Sequence, residues 1–263
     1  MNFIFDMDGT ICFKGQPISK RILDYLWQLQ QLGHFIGFAS ARPYRDMLPI
    51  LDDRFYDHLL IGANGAMAFN EGKPLYYNPI PSQLANEIIK LLDDYQADFL
   101  IDDTLNYAIR TEKEKQHPLL MSIDQNQVAK HVELDQIESF IKIVVLSCSR
   151  FEELSQNISQ LDVTIHYHSA EGILDITNKN VNKMTGLKQT GLQLESFVCM
   201  GNDMNDLPLF QKAQHSVLIG TYEPLRLIAN HQILMDDNIE HNIISKLEEL
   251  RQRRDTYEFI CGE

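Results

Sequence analysis

Cysteine is scarce in this 263-residue chain, and the four present, Cys12, Cys148, Cys199 and Cys261, never form a Cys-x-x-Cys pair. That scatter argues against a zinc or disulfide framework and suits a reducing compartment. Cations are also in short supply. Lys and Arg total 23 against 37 Asp and Glu, a net charge of −14, so wholesale nucleic-acid binding is excluded, because a phosphate backbone needs a basic surface. A small anionic ligand stays compatible with this charge, provided cations gather at one site. No apolar run is long enough to span a membrane, and there is no repeat or low-complexity segment. No Gly-x-Gly-x-x-Gly follows the first strand, which argues against a nicotinamide-binding reading. The first residues lead straight into a strand rather than a leader, so a cytoplasmic protein is expected.

What is present starts at Met1-Asn2-Phe3-Ile4-Phe5-Asp6-Met7-Asp8-Gly9-Thr10. Phe3, Ile4 and Phe5 do not alternate with polar residues, which predicts a strand buried on both faces, as in a parallel sheet. Asp6 then sits at the carboxyl end of that strand, where open α/β sheets place their ligands. Asp6 and Asp8 would repel one another and lose solvation there. A hard divalent cation with oxygen ligands, Mg²⁺ above all, resolves that conflict.

Ile18–Leu32 has the spacing of an amphipathic helix, with Ser19 as its N-cap and Gly33 as its stop. Phe35–Ala39 is the next strand, and it ends in Ser40-Ala41-Arg42-Pro43. A hydroxyl and free amides at a strand end beside a helix start can cradle an anion, although Ser40 could equally be a simple cap. Leu59–Ile61 is a third strand, followed by the polar turn 62–66. This strand–helix alternation predicts a doubly wound parallel sheet.

Residues 79–178 have a different pattern, punctuated by Pro79 and Pro81. Helices are expected at Ser82–Tyr95 and Phe151–Leu161, and strands at Asp98–Ile101, Tyr107–Arg110, Ser139–Ser147, Val163–His168 and Ile173–Ile176. Such a mixture forms a compact α+β module, and an insert between two halves of a core is a natural lid.

The core pattern resumes with a helix at Met184–Thr190. Lys183 at its start opposes the helix dipole, which makes sense if its ammonium meets an anion. Phe197–Met200 is a strand running into Gly201-Asn202-Asp203-Met204-Asn205-Asp206, where four carboxylate or amide side chains crowd a second strand end. All four can bind a metal or accept a hydrogen bond, and all four can equally serve a polar turn. Strands at Val217–Ile219 and Ile233–Leu234 and a helix at Ile239–Arg253 close the chain.

In this order, Asp6-x-Asp8-Gly9-Thr10, Ser40-x-Arg42, Lys183 and Gly201-Asn202-Asp203-x-Asn205-Asp206 resemble the four motifs of the haloacid dehalogenase (HAD) superfamily. The insert between the second and third motifs resembles the Cof-like, class IIB branch. The resemblance implies an α/β fold: a Rossmann-like, doubly wound parallel core from residues 1–78 and 179–263, with an α+β cap of the C2 type at 79–178. It implies a phosphatase that hydrolyses small phosphorylated metabolites, sugar phosphate-like, through an aspartyl-phosphate, with Mg²⁺ as cofactor and neither nucleic acid nor membrane as partner. A phosphosugar mutase or a non-catalytic phosphometabolite-binding regulator is the alternative.

By the same resemblance Asp6 is the nucleophile, Asp8 the general acid and base, and Lys183 the catalytic cation. Met7, Ser40, Ala41, Lys183 and Asn205 contact the phosphate. Asp6, Asp8, Asn202 and Asp203 hold the metal, with Thr10, Arg42 and Asp206 in support. The chain departs from the pattern twice. Many relatives have Gly-Asp where it has Gly201-Asn202; an amide is the weaker ligand, which leaves Asp203 or Asp206 to share the metal. Relatives often have glycine where it has Met184.

Overall fold

The computed structural model describes residues 1–111, 117–168, 172–194 and 196–261. In chain order these form β1 (Asn2–Phe5), α1 (Lys20–Gln31), β2 (Phe35–Ala39), α2 (Tyr44–Met47), β3 (Leu59–Gly62), β4 (Met67–Asn70) and β5 (Lys73–Tyr77). Next come α3 (Ser82–Asp94), β6 (Asp98–Asp102), β7 (Tyr107–Arg110), β8 (Lys142–Ser147), α4 (Phe151–Ser159), β9 (Val163–His168) and β10 (Ile173–Asn178). The chain closes with α5 (Lys183–Gln189), β11 (Val198–Gly201), α6 (Leu207–Phe210), β12 (His215–Ile219), α7 (Glu223–Arg226), β13 (His231–Ile233) and α8 (Ile239–Cys261). Among the described residues, no helix is long and apolar enough to cross a membrane.

Two compact units emerge. The first comprises Met1–Phe38, Ile50–Phe55 and Gln193–Glu263. Its strands run in the order β13-β12-β11-β1-β2, every neighbour parallel. Phe3, Ile4 and Phe5 are buried on both faces of β1, as the unbroken apolar run predicts. Phe38 stacks edge-on against Phe55, with ring centroids 5.7 Å apart, and extends this aromatic core. α1 lays Ile22, Leu23, Leu26 and Leu29 into the interior. The Ser19 hydroxyl caps it by accepting the Ile22 amide at 3.3 Å, so the helix starts one residue past its cap rather than at Ile18.

The second unit comprises Ala39–Pro49 and Tyr56–Leu192. β3, β4 and β5 form an antiparallel meander. β4 and β5 are not expected from sequence. They are joined through Glu71 and Gly72, both at positive φ (53° and 67°), the conformation of a two-residue hairpin turn that matches strand twist. The other sheet runs β7-β6-β8-β10-β9 and is antiparallel throughout. One face of it, Phe99, Ile101, Ile143, Val145, Leu174 and Ile176, packs on α3 and α4 through Ile88, Leu92, Leu154 and Ile158. The opposite face carries Leu100, Val144, Leu146 and Ile173.

Candidate active site

In the first unit the site grows from the end of β1. The Asp6 amide donates to the Met200 carbonyl at 3.0 Å, so the parallel ladder to β11 holds Asp6 at the strand's carboxyl end. The Met7 carbonyl then accepts the amides of Thr10, Ile11 and Cys12 at 3.2, 3.0 and 2.8 Å, which curls the chain back. Gly9 turns at φ +76°, and a Cβ there would lie 2.2 Å from the Asn202 amide group. Glycine is therefore what lets the β11 loop approach this closely.

That approach brings Asp6, Asp8, Thr10 and Asn202 together. Asp6 is 4% exposed. The Thr10 hydroxyl donates to Asp6 Oδ2 at 2.7 Å. A hydroxyl has one proton to give, so the 3.1 Å contact between Thr10 and Asn202 needs a donor on the amide side. With its nitrogen turned inward, the Asn202 amide faces three acceptors, Thr10 Oγ1 at 3.1 Å, Asp6 Oδ2 at 3.0 Å and the Asp8 carbonyl at 3.1 Å, which share its two N–H protons. Two oxygens of Asp6 and Asp8 thus point at one spot. A half-turn of the amide adds Asn202 Oδ1 as a third.

Three oxygens, one of them anionic, fit a hard cation such as Mg²⁺. Among the described residues no group of three His, Cys, Asp or Glu side chains could hold a metal ion; here a main-chain carbonyl and an amide take part instead. The Asp8 side chain is exposed, with Oδ1 3.7 Å from the Cys12 thiol, while its main-chain carbonyl faces the oxygen set.

The remaining acids of this loop orient it. Asp206 Oδ2 accepts the amides of Asn202 and Asp203 at 2.9 and 3.2 Å, and Asp203 Oδ1 accepts the Met204 amide at 2.7 Å. Asn205 lies in the same short 3₁₀ turn, Met204–Asp206.

In the second unit Ser40 is buried at the end of β2, and its three polar groups are all engaged. Its amide donates to the Ile61 carbonyl at 2.8 Å, its carbonyl accepts the Asn64 amide at 2.9 Å, and its hydroxyl oxygen accepts the Arg42 amide at 3.1 Å. The hydroxyl proton is then directed elsewhere. Lys183 is fully buried at the first position of α5. The Asn182 side chain caps that helix by accepting the amides of Met184 and Thr185 at 3.0 and 2.9 Å. Burying an ammonium is tolerated only beside acceptors or anions.

Sequence reading misses a buried ionic cluster in this unit. Arg45 pairs with Asp102, with a very short contact, and lies 3.3 Å from Asp46. Lys142 Nζ lies 3.5 Å from Asp175 and 3.6 Å from Asp102. Burial alone would lower the Lys142 pKa, but Asp175, Asp102 and Asp46 together hold it above its ordinary value. Burial pushes the Asp46 carboxyl up despite Arg45. A signal existed: Asp102 ends Asp-Phe-Leu-Ile-Asp, Lys142 opens Lys-Ile-Val-Val-Leu, and Asp175 interrupts Ile-Leu-Asp-Ile, each a charge inside an apolar strand.

Compared with known proteins, residues 3–247 match the family described as haloacid dehalogenase-like hydrolase. The chain is 25% identical over 244 residues to an HMP-PP phosphatase of Yersinia pseudotuberculosis, covering 84% of each. Among solved structures, it resembles a HAD subclass IIB sugar phosphatase at 19% identity and a TM-score of 0.77, covering 95% of this chain and 98% of that one. A haloacid dehalogenase-like hydrolase from B. subtilis gives 19% and 0.76, covering 95% and 99%.

Proposed function

This chain belongs to the haloacid dehalogenase-like hydrolase family, and from that premise we propose that it is a Mg²⁺-dependent phosphatase of small phosphorylated metabolites. The observation that carries the reading is the convergence of Asp6, Thr10, Asn202 and the Asp8 carbonyl at the end of β1. The name of the Yersinia relative and the sugar phosphatase of similar fold support a small, phosphorylated, sugar phosphate-like substrate. The acidic chain argues against a nucleic-acid substrate. Cys12, Cys148 and Cys199 are not joined in disulfides, which suits the cytoplasm we assign to the protein.

In the proposed reaction an Asp6 oxygen attacks phosphorus and the phosphorus–oxygen bond to the leaving alcohol breaks. Asp8 gives its proton to that alkoxide. Water then attacks the aspartyl-phosphate, Asp8 takes up the proton, and the bond from phosphorus to Asp6 breaks, releasing phosphate. Two unit charges about 4 Å apart at an effective dielectric of about 20 interact by about 4 kcal/mol, so a carboxylate cannot approach a dianionic ester unaided. Mg²⁺ bound by Asp6, the Asp8 carbonyl and Asn202 would offset that repulsion. By motif, the phosphoryl oxygens fall to Ser40, the Ala41 amide, Lys183 and Asn205, with Met7 lending main-chain atoms. Asp203 and Asp206 support the metal loop, Thr10 the nucleophile and Arg42 the anion loop. Residues 79–178 act as the cap.

The test is hydrolysis of p-nitrophenyl phosphate with and without Mg²⁺, followed by a panel of sugar phosphates and other phosphorylated metabolites. Metal-dependent release of phosphate to water supports the reading. Transfer to a sugar acceptor would make the protein a mutase, and metal binding without turnover on any ester would make it a regulator.

A further inference from the structure

Ala41 and Arg42 share one peptide unit, and both of its ends are held. Its carbonyl oxygen accepts a hydrogen bond from Lys142 Nζ at 2.9 Å, and its N–H donates to the Ser40 hydroxyl oxygen at 3.1 Å. Lys142 belongs to β8, 101 residues away in sequence, and is buried. Behind it, Asp175 Oδ2 lies 3.5 Å from Nζ and accepts Asn64 Nδ2 at 2.9 Å. The Asn64 main chain in turn donates to the Ser40 carbonyl at 2.9 Å. The path Ser40, peptide 41–42, Lys142, Asp175, Asn64 and back to Ser40 is a closed ring of polar contacts.

We propose that Lys142 is a positioning residue for Ser40. By fixing the plane of the 41–42 peptide it keeps the Arg42 N–H on one lone pair of the Ser40 oxygen, so that the hydroxyl proton is left to donate to a phosphoryl oxygen. Lys142 itself does not touch substrate: its ammonium is spent on the Ala41 carbonyl and the two aspartates. Asp175 and Asn64 complete the frame from the other side, since a lysine pinned by a buried carboxylate cannot swing away. This rests on the phosphatase reading, in which Ser40 binds phosphate.

Removing Lys142 alone would strand buried carboxylates, so the test uses Lys142→Met together with Asp175→Asn, which removes one cation and one anion. The probe is inorganic phosphate as a competitive inhibitor of p-nitrophenyl phosphate hydrolysis, measured in wild type, Ser40→Ala, the paired variant and their combination. The paired variant is expected to weaken phosphate binding about tenfold, the scale of one hydrogen bond, and to raise KM more than it lowers kcat. Combining it with Ser40→Ala should add little, because both changes break the same contact.

Independent losses that multiply, or phosphate affinity unchanged in the paired variant, would overturn the proposal while leaving the phosphatase reading intact. Wild type that neither hydrolyses any ester nor binds phosphate would overturn both. A second readout needs no variant. Titrating labelled wild-type protein with phosphate should move the NMR signals of the Arg42 amide and Lys142 Nζ with one common half-saturation, and a Lys142 signal indifferent to saturating phosphate would also overturn it.

Discussion

The Thr10 hydroxyl lies 2.7 Å from Asp6 Oδ2, both groups buried. One carboxylate oxygen is thereby fixed in direction, and in the proposed reaction the same carboxylate attacks phosphorus. Thr10→Val keeps the shape and removes the donor. It should lower kcat about tenfold, the scale of one buried hydrogen bond, with circular dichroism unchanged. Wild-type turnover in this variant would show that Asp6 needs no such support.

Gly9 combines a positive φ with a 2.2 Å approach to Asn202. Gly9→Ala should cost about 1–3 kcal/mol of stability. It should also push Asn202 off the oxygen set, so that the Mg²⁺ concentration giving half-maximal rate rises at least severalfold. Denaturant melts and a Mg²⁺ titration of the rate check the two effects separately.

Asn202 supplies an amide where a carboxylate would bind a hard cation more strongly. Asn202→Asp should raise Mg²⁺ affinity about tenfold, because affinity follows the charge count of the ligands. Without metal the new carboxylate faces Asp6 and no longer donates to it, so the melting temperature should fall below that of wild type and recover on adding Mg²⁺. Isothermal titration and paired thermal melts test this.

Away from the site, Glu248 accepts the Tyr25 hydroxyl at 2.6 Å and pairs with Arg251 at 2.6 Å, tying α8 to α1. Arg251 first, then Tyr25, holds its carboxyl down to about 2 from an ordinary 4.5. A depressed folded pKa means stabilisation that is complete above pH 4.5 and fades as pH falls toward 2. Glu248→Gln should therefore melt earlier than wild type at neutral pH, by no more than about 1 kcal/mol for so exposed a group. The gap should close in acid, and a gap constant with pH would contradict the assignment.

Much of this was legible in the sequence, and the limits have physical causes. Phe3–Phe5 could be read as a two-faced strand because nothing polar interrupts it, and Asp6 then had to sit at its end. The loop after β11 was legible as a polar cluster, but not which member faces Asp6. Asn202, Asp203 and Asp206 can each cap or coordinate, and the choice depends on the path of the main chain: Asp206 turns back to the Asn202 and Asp203 amides. The hairpin of β4 and β5 was hidden because Lys73–Tyr77 is largely exposed and shows no clean alternation. The Lys142 cluster was hidden for a different reason. Asp102 and Lys142 become cross-strand partners only once β6 is paired with β8 in register, which no local window reveals.

The central claim is that the Asp6 carboxylate attacks phosphorus. The most direct measurement is to quench the enzyme during turnover of p-nitrophenyl phosphate with Mg²⁺, reduce it with tritiated borohydride, and map the label. An acyl-phosphate is reduced where an ordinary carboxylate is not, so label is expected in homoserine at position 6 and nowhere else, and Asp6→Asn should show neither label nor turnover. Steady turnover with no label at position 6, or an Asp6→Asn protein as active as wild type, would contradict the account.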